Sequence, residues 1–232
     1  VNAIHPSAVV GPEVTMGTGN VIGPFAVLVG RVELGDHNWI GSGVTIGAPP
    51  EVRGWDHPTS WDSVDGGGVQ IGHRNVLREG CQIHQGWKAV TKLGDDGFIM
   101  NQVYVAHDCR LGSHVTMASG ARLAGHVVVQ DRANLGMGAL VHQRRVIGAG
   151  VMVGMGSVVT RDVPPLALVM GNPSRISRSN RYQAERIGLS AEDCDRLDAA
   201  YRSDLSGVVA VELLASTAGA SSLVEEWVSA RG

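Results

Sequence analysis

Residues 93–159 read LGDDGF IMNQVY VAHDCR LGSHVT MASGAR LAGHVV VQDRAN LGMGAL VHQRRV IGAGVM VGMGSV V, with an aliphatic or methionine opening every block of six. Two earlier runs keep the same period. One is Ile4, Val10, Met16, Ile22, Leu28, Leu34, Ile40, Ile46; the other is Ile71, Leu77, Ile83. An amphipathic helix needs apolar residues three and four apart, and a half-buried strand needs them two apart. A period of six fits neither. It fits short flat strands joined by tight turns, each aiming one aliphatic at a common axis, which is the repeat of a parallel β-helix.

Two further regularities agree. Four places after the aliphatic stands a small or β-branched residue, as at Ala26, Val32, Val44, Cys109, Ala121, Ala133 and Ala139. A narrow prism has room for little more, and only 4% of the chain is aromatic. The place after the aliphatic is often glycine, as at Gly94, Gly112, Gly136 and Gly148, which tolerates left-handed backbone or close approach. Three hexads per turn make a coil of about 18 residues. The runs then predict roughly seven to eight stacked coils, each burying its neighbours' faces. The expected fold is an all-β solenoid over residues 1–165, followed by a turn and an α-helical region over 166–232.

The repeat breaks twice, at 48–70 and at 85–92. The first break holds three prolines, Trp55, Trp61 and a triple glycine. Insertions leave a solenoid as loops on one face, often the binding face. Two tryptophans in so aromatic-poor a chain point to a lid or a subunit contact. After Pro164-Pro165 and the turn at Gly171-Asn172-Pro173-Ser174-Arg175, a helical pattern starts near Asn180. Ser190 reads as an N-cap, with Leu189 and Cys194 placed for a hydrophobic staple. Leu197, Tyr201 and Leu205 continue one helical face. Two further short helices follow around Leu213-Leu214 and Val224-Trp227.

Composition excludes some functions. The net charge of -3 argues against nucleic acid or an anionic membrane as partner. No apolar stretch is long enough to span a bilayer, and no signal-peptide pattern opens the chain. The odd set Cys81, Cys109 and Cys194 lacks metal-type spacing and suits a reducing, cytoplasmic compartment. No metal or bound cofactor is expected.

Histidines cluster on the later coils: His84, His107, His114, His126 and His142. His126 lies nineteen residues past His107, so one coil above it and near Asp108. Imidazole suits a general base near neutral pH, and a neighbouring carboxylate can fix its tautomer. Gly125, beside His126, offers an unhindered N–H for an oxyanion.

The stretch NQVYVAHDCRLGSHVTMASGARLAGHV, residues 101–127, resembles the UDP-N-acetylglucosamine O-acyltransferases of lipid A biosynthesis. Ile83-His84-Gln85-Gly86, Val141-His142-Gln143 and Asp162-Val163-Pro164-Pro165 are similar to them too. The likeness spans nearly the whole chain. It implies a left-handed helix, a homotrimer with sites between neighbouring helices, and acyl transfer from acyl carrier protein or coenzyme A to a sugar or nucleotide sugar. His107 would be the base with Asp108 beside it, and Gly125 the oxyanion donor. His126, His142 and Gln143 would line the sugar-nucleotide and acyl groove, and His84 would contact the acceptor. The chain departs from the family at Trp87, bulkier than the family's threonine, and at Tyr104, where the family has histidine. Arg53 is the nearest match to a first-loop lysine, and Arg144 and Arg145 replace apolar residues. Gly171, Asn172 and Arg175 lie in a turn that resembles the donor-bordering turn of coenzyme A-dependent hexapeptide acetyltransferases. Two other functions suit the same fold. A zinc hydratase of the γ-carbonic anhydrase type needs three converging histidines, and its pair five residues apart is absent here. A non-catalytic binding scaffold would not need the His107-Asp108 pair.

Overall fold

In the computed structural model, which describes residues 1–61 and 64–231, the chain is a parallel β-solenoid with a short helical region at its C-terminal end. Two residues of the first predicted loop, Asp62 and Ser63, lie outside the described residues. The strands form three sheets of ten, eight and seven. Residues one coil apart stack directly: Ile22 on Ile40, Met117 on Leu135, Leu123 on Val141. The inward aliphatics Leu28, Ile40, Ile46, Leu77, Ile99, Leu123 and Leu135 are fully buried. Ile4 and Val10, expected in the core, are exposed, because the first coil has no coil beneath it.

The solenoid makes about nine turns, more than the seven to eight expected. The insertions divert the chain without removing a turn, so Val32 pairs with Val69 and Trp39 with Val76 across the first of them. The boundary expected at 165 also falls short. Strand Ala167–Gly171 still pairs in parallel with Met152–Val153 before turning back, antiparallel, as Ser174–Ser179.

The corners obey a rule that the repeat does not display. The residue three places after an aliphatic takes a left-handed backbone at Phe25, His37, Arg74, Asp96, Gln102, Asp108, His114, His126, Arg132 and Arg144, and glycine does so at Gly120, Gly138 and Gly150. A non-glycine residue there costs about 1 kcal/mol or more. The glycines that directly follow the aliphatics serve close approach instead. A Cβ on Gly94 would lie 2.8 Å from the carbonyl carbon of Gly112 in the next coil. At one corner of the stack, Asn20, Asn38 and Asn75 form a buried ladder. Each donates its side-chain amide to a glycine carbonyl, of Gly35, Gly72 and Gly94 respectively. That ladder satisfies buried polar groups that no aliphatic could.

Four helices close the C-terminal end: α1 (Arg181–Arg186), α2 (Ala191–Ser203), α3 (Val208–Ser216) and α4 (Ser221–Ser229). Ser190 caps α2 by accepting from the Asp193 N–H, as expected, and Leu189 and Cys194 are buried beside it. Leu205 does not continue the buried face. Asp204 ends the helix in extended geometry, and Leu205 is exposed. Tyr201 is fully buried and its hydroxyl donates to the Pro165 carbonyl, which seats α2 on the last coil. Tyr201→Phe strips that carbonyl of its donor. The expected loss is about 1–3 kcal/mol of stability, read as a lower urea midpoint with catalytic rate unchanged.

Candidate active site

His107 and Asp108 occupy the corner between strands Tyr104–Val105 and Arg110–Leu111. Gly125 and His126 occupy the same corner one coil up, between Arg122–Leu123 and Val128–Val129. The His126 N–H donates to the His107 carbonyl at 3.0 Å, which joins the two coils. Asp108 and His126 both hold the left-handed corner conformation.

Asp108 organises the corner. Its side chain is 1% exposed. Oδ1 accepts from three successive backbone N–H groups of the second insertion, those of Trp87, Lys88 and Ala89, at 2.9, 2.8 and 2.7 Å. Oδ2 accepts from His107 Nδ1 at 2.8 Å and lies 3.5 Å from His126 Nε2. The Asp108 N–H donates to Thr91 Oγ1 at 2.9 Å. Burial pushes the Asp108 carboxyl up, but the His107 hydrogen bond and the three N–H groups outweigh it and hold the group below the usual carboxylate range. An ionised carboxylate only accepts, so His107 Nδ1 carries the proton and Nε2 presents its lone pair.

That Nε2 faces Gly125. A Cβ placed on Gly125 would stand 2.6 Å from Cε1 and 2.7 Å from Nε2 of His107. Only a bare backbone fits under the ring, and among the described residues the Gly125 N–H donates to no group. The His126 ring meets His107 edge-on at 5.0 Å, and the Trp87 ring does so at 6.2 Å. Burial depresses the His126 imidazole, and the Arg144 and His107 charges add to that, while Asp108 opposes it. His126 is therefore biased toward its neutral form.

His84 lies on the adjoining wall. Its ring meets that of Tyr104 at 5.3 Å, tilted by 52°, and it touches the Pro49 carbonyl through Nδ1 and Glu51 through Nε2. The two insertions meet behind it, where the Gly67 N–H donates to the Gly86 carbonyl and Gln85 Nε2 donates to the Asp65 carbonyl. The corner and this wall thus unite His84, Trp87, Tyr104, His107, Asp108, Gly125 and His126. His142 and Gln143 lie one coil above Ala124 and Gly125, with exposed side chains. Arg53 is exposed on the first insertion. Gly171, Asn172 and Arg175 lie on the hairpin that ends the first sheet, away from the corner between the second and third.

Known proteins match the chain throughout. A Syntrophobacter fumaroxidans protein named acyl-[acyl-carrier-protein]–UDP-N-acetylglucosamine O-acyltransferase is 39% identical over 204 residues, covering 86% of this chain and 76% of its own length. The chain belongs to that family of acyltransferases. A Synechocystis protein of the same name is 38% identical over 198 residues, covering 83% of this chain and 69% of its own. Among solved structures, the UDP-N-acetylglucosamine acyltransferase of Bacteroides fragilis superposes with a TM-score of 0.80 at 26% identity, covering 96% of this chain and 95% of its own. That of Francisella novicida does so with 0.74 at 27%, covering 98% and 88%. No family model matches the chain.

This acyltransferase places two imidazoles and a carboxylate close together, with ligand atoms within 4.8 Å for His107, Asp108 and His126. Their hydrogen bonds suit a base and its orienting group better than a metal cage. Asp108 engages three N–H groups with Oδ1 and the His107 proton with Oδ2. Neither the zinc hydratase nor the silent scaffold is favoured. The sequence missed Thr91 and the N–H cradle at 87–89. The signal was there in the short break at 85–92, whose purpose is to wrap Asp108.

The acyltransferase should respond sharply to Asp108→Asn. The amide can still accept from the cradle, but its NH₂ then faces His107 Nδ1 and shifts the imidazole proton to Nε2, which leaves no lone pair facing Gly125. A fall in kcat of about a hundredfold or more is expected. The variant should also be less stable. Because the folded carboxyl is depressed, that difference is fully present above the ordinary carboxylate range and is lost as pH falls through the folded value. Denaturant melts of both proteins across that range check it.

Proposed function

We propose that this acyltransferase moves an acyl group from an acyl carrier protein thioester to a hydroxyl of UDP-N-acetylglucosamine, with His107 as general base. The names of the relatives supply the substrates. The observation that carries the mechanism is the His107 ring, oriented through Nδ1 by Asp108 and facing the bare Gly125 backbone through Nε2. Nε2 takes the hydroxyl proton as that oxygen attacks the thioester carbonyl carbon. The carbonyl oxygen becomes an oxyanion that accepts from the Gly125 N–H. The C–S bond then breaks, the ester remains on the sugar, and the proton on His107 passes to the departing thiolate. No acyl-enzyme forms. Cys109 faces the core, and burial pushes its thiol up to about 12, far from a nucleophile's range.

The active assembly in this reading is a homotrimer, in which a neighbouring helix faces the corner wall and completes the cleft. His84 and Tyr104 then contact the acceptor, and His142 and Gln143 extend the groove upward. The buried free thiols of Cys81, Cys109 and Cys194 suit the cytoplasm. Among the described residues no helix is long and apolar enough to cross a membrane. Thiol release is the test, crossing acyl carrier protein and acyl-coenzyme A donors with UDP-N-acetylglucosamine and related amino sugars. The carrier-protein donor with UDP-N-acetylglucosamine should turn over fastest. Faster turnover with coenzyme A, or with an acceptor lacking the nucleotide, would overturn the assignment.

A further inference from the structure

The second insertion serves the corner through its backbone, but two of its exposed side chains, those of Trp87 and Lys88, have no part in that. Trp87 sets its ring edge-on to His107 at 6.2 Å. Lys88 holds its Nζ 4.2 Å from the centroid of the same indole. Both residues donate their backbone N–H to Asp108 Oδ1, so the pair is anchored to the carboxylate that orients the base. The loop is also tightly folded. A Cβ on Gly86 would meet the Ala89 carbonyl oxygen at 1.5 Å, which bars any other residue and leaves the backbone little room to shift.

Lys88 is one of only two lysines in the chain, and among the described residues it makes no ion pair. The nearby carboxylate, Asp108, is enclosed and already engaged. The indole face attracts the ammonium and restricts a long stem that is otherwise free to sample many rotamers. The result is an unneutralised cation steered to the mouth of the catalytic corner.

We propose that Lys88, positioned by Trp87, binds a phosphate group of a substrate. The proposal rests on the acyltransferase reading above, and both substrates of that reading carry the chemistry. The nucleotide sugar has a diphosphate, and the prosthetic arm of the carrier protein has a phosphodiester. An ammonium is a point charge with three donors, suited to either.

The test is steady-state kinetics of the full-length enzyme and its Lys88→Met and Lys88→Arg variants, with each substrate varied in turn at low and high salt. Lys88→Met should raise one KM about tenfold and flatten its salt dependence. Its kcat should stay within about twofold, and Lys88→Arg should restore most of the loss. A shift in the KM for UDP-N-acetylglucosamine assigns the diphosphate; a shift in the KM for the acyl carrier protein assigns the prosthetic phosphate. Both KM values unchanged within about twofold, or a fall in kcat alone, would overturn the proposal. If the wild-type enzyme transfers nothing to UDP-N-acetylglucosamine, the functional reading fails by itself. Calorimetric titration of UDP and of phosphopantetheine into wild type and Lys88→Met then decides the cation's role. Weaker binding of either by the variant supports it, and equal binding of both refutes it.

Discussion

His107→Ala should lower kcat at least about a hundredfold and as much as ten-thousandfold, with little change in either KM. In the proposed mechanism the imidazole takes the acceptor's proton through the ring nitrogen that Asp108 leaves free. Nδ1 is committed to Asp108 at 2.8 Å, and Nε2 looks onto Gly125. His126 does not substitute for it. Its Nε2 lies 3.5 Å from Asp108, and its ring packs edge-on against the His107 ring. Alanine also leaves Asp108 Oδ2 without its strongest donor. Some stability should therefore be lost with the activity, and a melting curve separates the two effects. A variant that keeps its fold and its full rate would remove His107 from the mechanism.

Gly125→Ala should be nearly as damaging to catalysis. Gly125 does not hold a left-handed backbone, so alanine meets no conformational barrier there. What it meets is the imidazole. The new methyl would lie 2.6–2.7 Å from two atoms of a ring held by a buried carboxylate. Either the ring swings off its bond to Asp108 or the corner backbone shifts, and both spoil the alignment of the proposed base and oxyanion donor. A loss of about 10²–10³ in kcat is expected, with a stability change of only about 1 kcal/mol. The two effects share one ring, so Gly125→Ala made on top of His107→Ala should cost much less than it does alone. Equal losses in both backgrounds would mean that the glycine acts independently of the histidine.

What the sequence disclosed, and what it withheld, follows from how far each feature reaches along the chain. The hexad phase is local, so the sheets, the inward aliphatics and the stacking of His126 over His107 could all be read from it. The position of the left-handed corner could not. It falls on phenylalanine, histidine, arginine and aspartate alike, and these share no composition that marks it. The Asp108 cradle depends on how an eight-residue break folds back onto a corner about a coil away. Periodicity says only that the ladder pauses there. The buried ladder of Asn20, Asn38 and Asn75 escaped notice for a related reason. Its members are spaced by the length of an insertion as well as by the coil. Leu205 leaves the buried face because Asp204 ends α2 just before it, which a helical face pattern does not register.

The most direct test of the account identifies the product. Wild-type enzyme is incubated with an acyl carrier protein thioester and UDP-N-acetylglucosamine, and the nucleotide sugar is analysed by mass before and after mild alkali. One added acyl group is expected, released by alkali as an ester is, with no product from His107→Ala under the same conditions. An alkali-stable amide, or an acylated product formed equally well by the variant, would contradict it.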